Sequence, residues 1–129
     1  MVVLDTHVWL WWAAQPERLS TAARRAIDDA DRIGVSTLSA WEVAMLVVRR
    51  RIELDRDVGM WVRQVLAAPR VEALELSPQA AIAAALLEPD VFPGDPLDRM
   101  IYATARELGA KLVTRDRAIR AYDKQTAVW

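Results

Sequence analysis

The sequence predicts an α/β fold, a three-layer α/β/α sandwich around a central, mostly parallel sheet, formed as one domain over residues 1–129. Three observations predict it. Short apolar runs with β-branched residues, Val2-Val3-Leu4 first among them, read as strands covered on both faces. Segments with apolar residues at helical spacing alternate with these runs, the pattern of successive βα units. A chain of 129 residues, 53% of them hydrophobic, can fill one core and has no room for a second.

The elements follow in order. After the first strand, residues 6–14 read as a short helix stopped near Pro16. Residues 20–31 form a second helix, with Ser20 as N-cap and Ala23, Ala26, Ile27 and Ala30 on one face. Residues 33–36 make a brief strand. Ser39 and Glu42 then supply the S-x-x-E pattern of a capping box, opening a helix that ends at Arg49, Arg50 and Arg51. A further helix runs from about Asp57 to Ala68, and "RVEALEL" alternates as a third strand. Ser77 and Pro78 are N-cap and first residue of the next helix. A turn at Pro93-Gly94 leads to a helix from Asp95-Pro96 to Gly109, then to a strand over 111–114, and "TAVW" closes the chain as a last short strand.

Composition narrows the function. Fifteen arginines and two lysines are balanced by 18 acids, and the pI is near 5.8. Such a chain is no general polyanion binder, so any nucleic acid must be gripped locally. The absence of cysteine removes disulfides and thiolate metal sites and suits a reducing compartment. The first basic residue is Arg18 and no apolar run approaches a membrane span, so a cytoplasmic protein is expected, without membrane contact.

The acids carry the chemistry. Asp5 ends the first strand, Glu42 lies in the first turn of the helix after the second, Asp98 in the first turn of the helix before the fourth, and Asp116 just after the fourth. Strand C-termini and the helix starts beside them share one edge of an open parallel sheet. Asp98 reaches that edge if its helix runs antiparallel to the strands. Each acid alone has a structural explanation as a helix cap or turn residue. Four acids converging would repel one another and have raised pKa values unless cations or arginines offset them. Oxygen-only sites of this kind select Mg²⁺ or Mn²⁺. The internal alternative is neutralisation by Arg99 and Arg115.

The blocks "VLDTHVWLWW", "STLSAWEVAML", "FPGDPLDRMIYATA" and "KLVTRD" resemble, in order and spacing, those of PIN-domain nucleases, and specifically VapC-type toxins of toxin–antitoxin pairs. The resemblance covers essentially the whole chain. It implies that Asp5, Glu42, Asp98 and Asp116 are acidic metal-binding residues and that Thr6 and Thr114 are their hydroxyl neighbours, with Asp95 as a secondary candidate. It further implies an endoribonuclease dependent on Mg²⁺ or Mn²⁺, acting on RNA by in-line attack of water to leave a 5′-phosphate and a 3′-hydroxyl. A homodimer inhibited by a cognate VapB-type antitoxin is implied as well. Two other readings stay open: a PIN nuclease of RNA processing or DNA metabolism outside a toxin pair, and a catalytically silent binding module.

Other features are weighed beside these. His7, the one histidine, two residues from Asp5, could be cast as a general base, but a packing or capping role in its helix is the expectation. Trp9, Trp11 and Trp12 chiefly serve the core, with one indole expected at the surface. Arg49 to Arg51 could contact RNA phosphates but are expected chiefly to complement the end of their helix and stay solvated, whereas Arg115, Arg117 and Arg120 beside Asp116 are the better candidates for holding phosphate. Asp55 to Asp57 read as a helix cap, and four isolated glycines include no nucleotide-binding loop.

Overall fold

Strand β1 (Val2–Leu4) is buried along its whole length, and its alternation assigns the two layers of the molecule. Val2 and Leu4 point into one apolar cluster and Val3 into the other, as successive residues of a strand must. The structure is a computed structural model describing residues 1–92 and 94–129. The expected turn residue Pro93 lies outside the described residues.

The described residues form a five-stranded sheet in the order β3-β2-β1-β4-β5, every pairing parallel. Its other strands are β2 (Ile33–Ser36), β3 (Val71–Leu74), β4 (Lys111–Val113) and β5 (Ala127–Val128). Helices α1 (Thr6–Ala14), α2 (Thr21–Asp28), α3 (Thr37–Val48) and α4 (Val58–Leu66) cover one face. Their Trp9, Ile27, Val43 and Trp61 pack on Leu4, Ile33, Val35 and Val113. The opposite face carries α6 (Pro96–Glu107) and α7 (Arg117–Tyr122), whose Ile101, Tyr102 and Ile119 meet Val3 and Leu112. Helix α5 (Pro78–Leu86) packs against α6 through Ala80, Ala84 and Ala103. The α/β/α sandwich expected from the sequence is therefore present.

The strand order fixes where a site belongs. The chain steps from β1 to β2 to β3 on one side, then crosses back to lay β4 on the other side of β1. That reversal opens a crevice at the C-terminal ends of β1 and β4, the usual ligand position in such sheets. Asp5 and the segment from Thr114 to Asp116 begin at those two ends.

Several boundaries differ from the sequence expectation. Helix α3 starts three residues early: its N-cap is Ser36, whose hydroxyl accepts from the Leu38 amide at 3.2 Å. Ser39 is thus inside the helix and Glu42 lies in its second turn, so the two form no capping box. Helix α2 ends at Asp28 instead of Asp31, because the Arg70 guanidinium binds the carbonyls of Ile27, Asp28 and Ala30. The stretch after Asp116 is helical. Helix α6 ends as expected on Gly109, whose φ of 61° suits a residue without a Cβ.

Candidate active site

Five carboxylates line one cavity of about 360 Å³ at the β1/β4 crevice: Asp5, Glu42, Asp95, Asp98 and Asp116. His7, Trp11 and Arg115 complete its wall. The four primary candidates of the sequence, and Asp95 with them, are thus brought together. Helix α6 presents its N-terminus to the strand ends, as the placement of Asp98 required.

Each acid is held by local structure. Asp5 is the N-cap of α1, where one carboxylate oxygen accepts from the Thr6 amide at 2.7 Å and the other from the Thr114 hydroxyl at 2.7 Å. Its own amide donates to the Val113 carbonyl at 3.0 Å, extending the β1–β4 ladder by one bond. The Asp116 amide donates to Thr114 Oγ1 at 3.0 Å, while the Asp116 carboxylate caps α7 through the Ile119 amide at 3.0 Å. The buried Thr114 hydroxyl therefore gives its one proton to Asp5 and accepts from Asp116.

Thr6 plays the matching part on the other side. Its hydroxyl lies 2.6 Å from Glu42 Oε2 and 2.9 Å from Ser39 Oγ. One proton serves both contacts only if Thr6 donates to the carboxylate and Ser39 donates to Thr6. Ser39, read from sequence as a cap, is instead a buried link in this chain. Asp95 caps α6 by accepting from the Asp98 amide at 2.9 Å, which leaves the Asp98 carboxylate without that capping duty.

The electrostatics record crowded negative charge. Burial pushes the Asp98 carboxyl up to about 8, reinforced by the charges of Asp5, Asp95, Glu42 and Asp116. Burial also raises Asp5, against the opposing hydrogen bonds from Thr114 and Thr6. Glu42 is raised by burial too, with Thr6 opposing and the Asp5 charge adding to the rise.

Arg99 does not neutralise this charge. Its guanidinium donates to the carbonyls of Ala84 at 3.1 Å, Phe92 at 2.9 Å and Leu87, tying the end of α5 and the following loop to α6. Arg115 lines the cavity, yet among the described residues no carboxylate lies within ion-pair distance of it; its guanidinium sits 5.8 Å from the Trp11 ring. The internal neutralisation that the sequence left open as the alternative is absent from these contacts. Arg117 and Arg120, on α7, are not part of the cavity wall. Trp9 is in the core against Trp61, Trp11 is buried, and Trp12 is half-buried. The indole at the surface is Trp41, which the sequence did not single out.

Residues 2–125 match the family described as PIN domain. The chain belongs to the PIN-domain family. It is 45% identical to Ribonuclease VapC22 of Mycobacterium tuberculosis over 130 aligned residues, covering 99% of this chain and 98% of that protein. Among solved structures, a toxin-antitoxin complex from Klebsiella pneumoniae superposes with a TM-score of 0.71 at 18% identity, covering 100% of this chain and 97% of the other. VapBC2 from Rickettsia felis, bound to a DNA fragment from its promoter, gives 0.68 at 14% identity, with 98% and 97% covered. These likenesses agree with the PIN fold over essentially its full length.

The donor set of this PIN domain suits a hard divalent cation. Its lining offers five carboxylates and one imidazole with no sulfur ligand, and its negative charge has no ion-paired arginine or lysine among the described residues. Within those residues the acids stay spread around the cavity instead of closing into a group of three or more on one point.

Proposed function

We propose that residues 1–129 form a single-domain, divalent-metal-dependent endoribonuclease, a VapC-like toxin that hydrolyses RNA phosphodiester bonds. The observation that carries the reading is the ring of five carboxylates at the switch point of the sheet, joined to 45% identity with a named ribonuclease along the whole chain. Asp5, Glu42, Asp98 and Asp116 are the residues that would hold Mg²⁺ or Mn²⁺, with Asp95 second. Bound there, such an ion supplies Lewis acidity towards water and phosphate oxygen.

The chain's own groups set the stage for that chemistry. Thr114 orients Asp5 through a 2.7 Å hydrogen bond, and Thr6 orients Glu42 through one of 2.6 Å, so neither carboxylate needs to be ordered on binding. Strand β1 and the amide of Thr6 hold Asp5 at a fixed edge. Arg115 lines the cavity, and its guanidinium would bind a phosphate oxygen. In the reaction, a water oxygen forms a bond to phosphorus as the bond to the 3′-oxygen breaks; the proton released by water passes to a cavity carboxylate and on to solvent, and the departing 3′-oxygen takes a proton from solvent. The products are a 5′-phosphate and a 3′-hydroxyl.

The partner we infer is a cognate VapB-type antitoxin, whose basic side chains would complement the acidic cavity. The solved toxin–antitoxin assemblies that share the fold support this reading. A homodimer fits the exposed apolar side chains of Ile82 and Leu86 on α5. No helix among the described residues is long and apolar enough to cross a membrane, and we place the protein in the cytoplasm. The deciding experiment incubates wild type and Asp98→Asn with single-stranded RNA in Mn²⁺, Mg²⁺ or chelator. Cleavage by wild type with metal alone, lost in the variant, is expected. Equal cleavage in chelator would overturn the assignment.

A further inference from the structure

A second cavity, of about 480 Å³, adjoins the acidic one and shares His7 and Trp11 with it. These residues are one turn apart on the same side of α1, with ring centroids 6.0 Å apart, and form the ridge between the two hollows. The charge changes sign across that ridge. Five carboxylates and one arginine line the first cavity, while Arg18 and Arg51 with the single acid Glu53 line the second. Neither Arg18 nor Arg51 has an ion-pair partner among the described residues. The volume lies within the range of roughly 300–1,000 Å³ typical of small-ligand sites.

Trp11 organises the cations at this boundary. The Arg18 guanidinium lies 4.6 Å from its ring and that of Arg115 lies 5.8 Å away, one towards each cavity. Arg18 is also hydrogen-bonded to Gln15 at 3.4 Å. An exposed arginine parked on an indole loses less freedom on binding an anion than one extended into solvent.

Resting on the nuclease reading, we propose that this second cavity is an RNA subsite, holding the nucleotide next to the scissile phosphate. Arg18 and Arg51 bind its phosphate, and the ridge of His7 and Trp11 sets the step from one phosphate to the next. Charge selects this occupant over a protein segment: a basic chain suited to the acidic cavity is repelled at the second, whereas a polyanion gains there what it lacks in the first. A guanidinium plane also offers a stacking surface to an unpaired base.

The test is steady-state cleavage of single-stranded RNA in Mn²⁺ by wild type, the double variant Arg18→Gln/Arg51→Gln, the charge-retaining Arg18→Lys/Arg51→Lys, and Arg25→Ala on the exposed side of α2. Glutamine keeps much of the aliphatic stem, which guards against loss of packing on Trp11. The Gln pair is expected to raise KM about tenfold with kcat within about twofold. It should also flatten the log–log salt dependence of RNA binding by roughly 0.7, the contribution of one phosphate on a single strand. The Lys pair should retain the salt dependence, and Arg25→Ala should match wild type. Unchanged KM and salt slope in the Gln pair, while wild type cleaves, would overturn the subsite and leave the nuclease standing. Wild type that cleaves no RNA would sink both. A Gln pair that keeps its RNA kinetics but no longer binds an antitoxin chain would reassign the cavity to that partner and overturn the proposal.

Discussion

Replacing Asp98 by asparagine should stabilise the protein without metal and deprive it of stabilisation by metal. The carboxyl moves from 3.8 to about 8 on folding, so the native state binds the extra proton between those values. Stability is then greatest below pH 4, falls as pH rises towards 8, and is flat above that. Between 3.8 and pH 7 the raw penalty is about 4.4 kcal/mol, at about 1.36 per unit. Asp98 is only half-buried, and solvent screening reduces that figure to roughly 1.5 kcal/mol. Against it stands the favourable position of a carboxylate at the third residue of α6, worth about 0.3–1 kcal/mol. Burial, reinforced by repulsion, outweighs that gain by about 1 kcal/mol. With an unfolding entropy of about 0.27 kcal/mol per kelvin for 129 residues, Asp98→Asn should melt about 4 °C above wild type at pH 7 in chelator. A divalent ion at a hundred times its Kd adds about 2.7 kcal/mol to wild type, or roughly 10 °C, and far less to the variant. The order of the two melting curves should therefore reverse between chelator and millimolar Mn²⁺. A variant that melts lower than wild type in chelator, or that gains as much from Mn²⁺, would refute the reasoning.

Thr114→Val keeps the shape of a buried residue but removes the donor to Asp5 and the acceptor of the Asp116 amide. It should cost about 1–3 kcal/mol in urea unfolding and lower kcat with little change in KM. Arg99→Lys should cost about 2–3 kcal/mol, because a single ammonium cannot reproduce the guanidinium fork that serves three carbonyls. The same variant should leave the Mn²⁺-induced rise in Tm intact, since Arg99 contacts none of the acids; loss of that rise would restore Arg99 to the site.

The acids were legible because their positions follow from strand ends and helix starts, which local pattern reveals. Asp5 had to sit where β1 stops, and Asp98 three residues into a helix that Asp95-Pro96 opens. Glu42 was found for an incomplete reason. Two serines precede it at cap-like positions, and the choice of Ser36 over Ser39 depends on where β2 ends, a tertiary matter. Arg99 misled because adjacency in sequence is not adjacency on a helix: neighbouring side chains diverge by about 100°, so it points to the end of α5 while Asp98 faces the cavity. Arg18 carried no local signal, and Arg51 stood out only as one of three arginines at a helix end, where solvation was the stronger reading. They meet only because the turn after α1 packs beside the segment that follows α3, a contact that no periodicity encodes.

The hydrogen bond from Thr114 to Asp5 spans 109 residues of chain. During translation Asp5 leaves the ribosome long before β4, which pairs beside its strand, and before the hydroxyl that aims it. A nascent chain lacking β4 has neither the crevice nor the oriented carboxylate, whatever its earlier helices have formed. An enzyme that cuts RNA is thereby kept unassembled, while still tethered to the RNA machine that makes it, until β4 has joined the sheet.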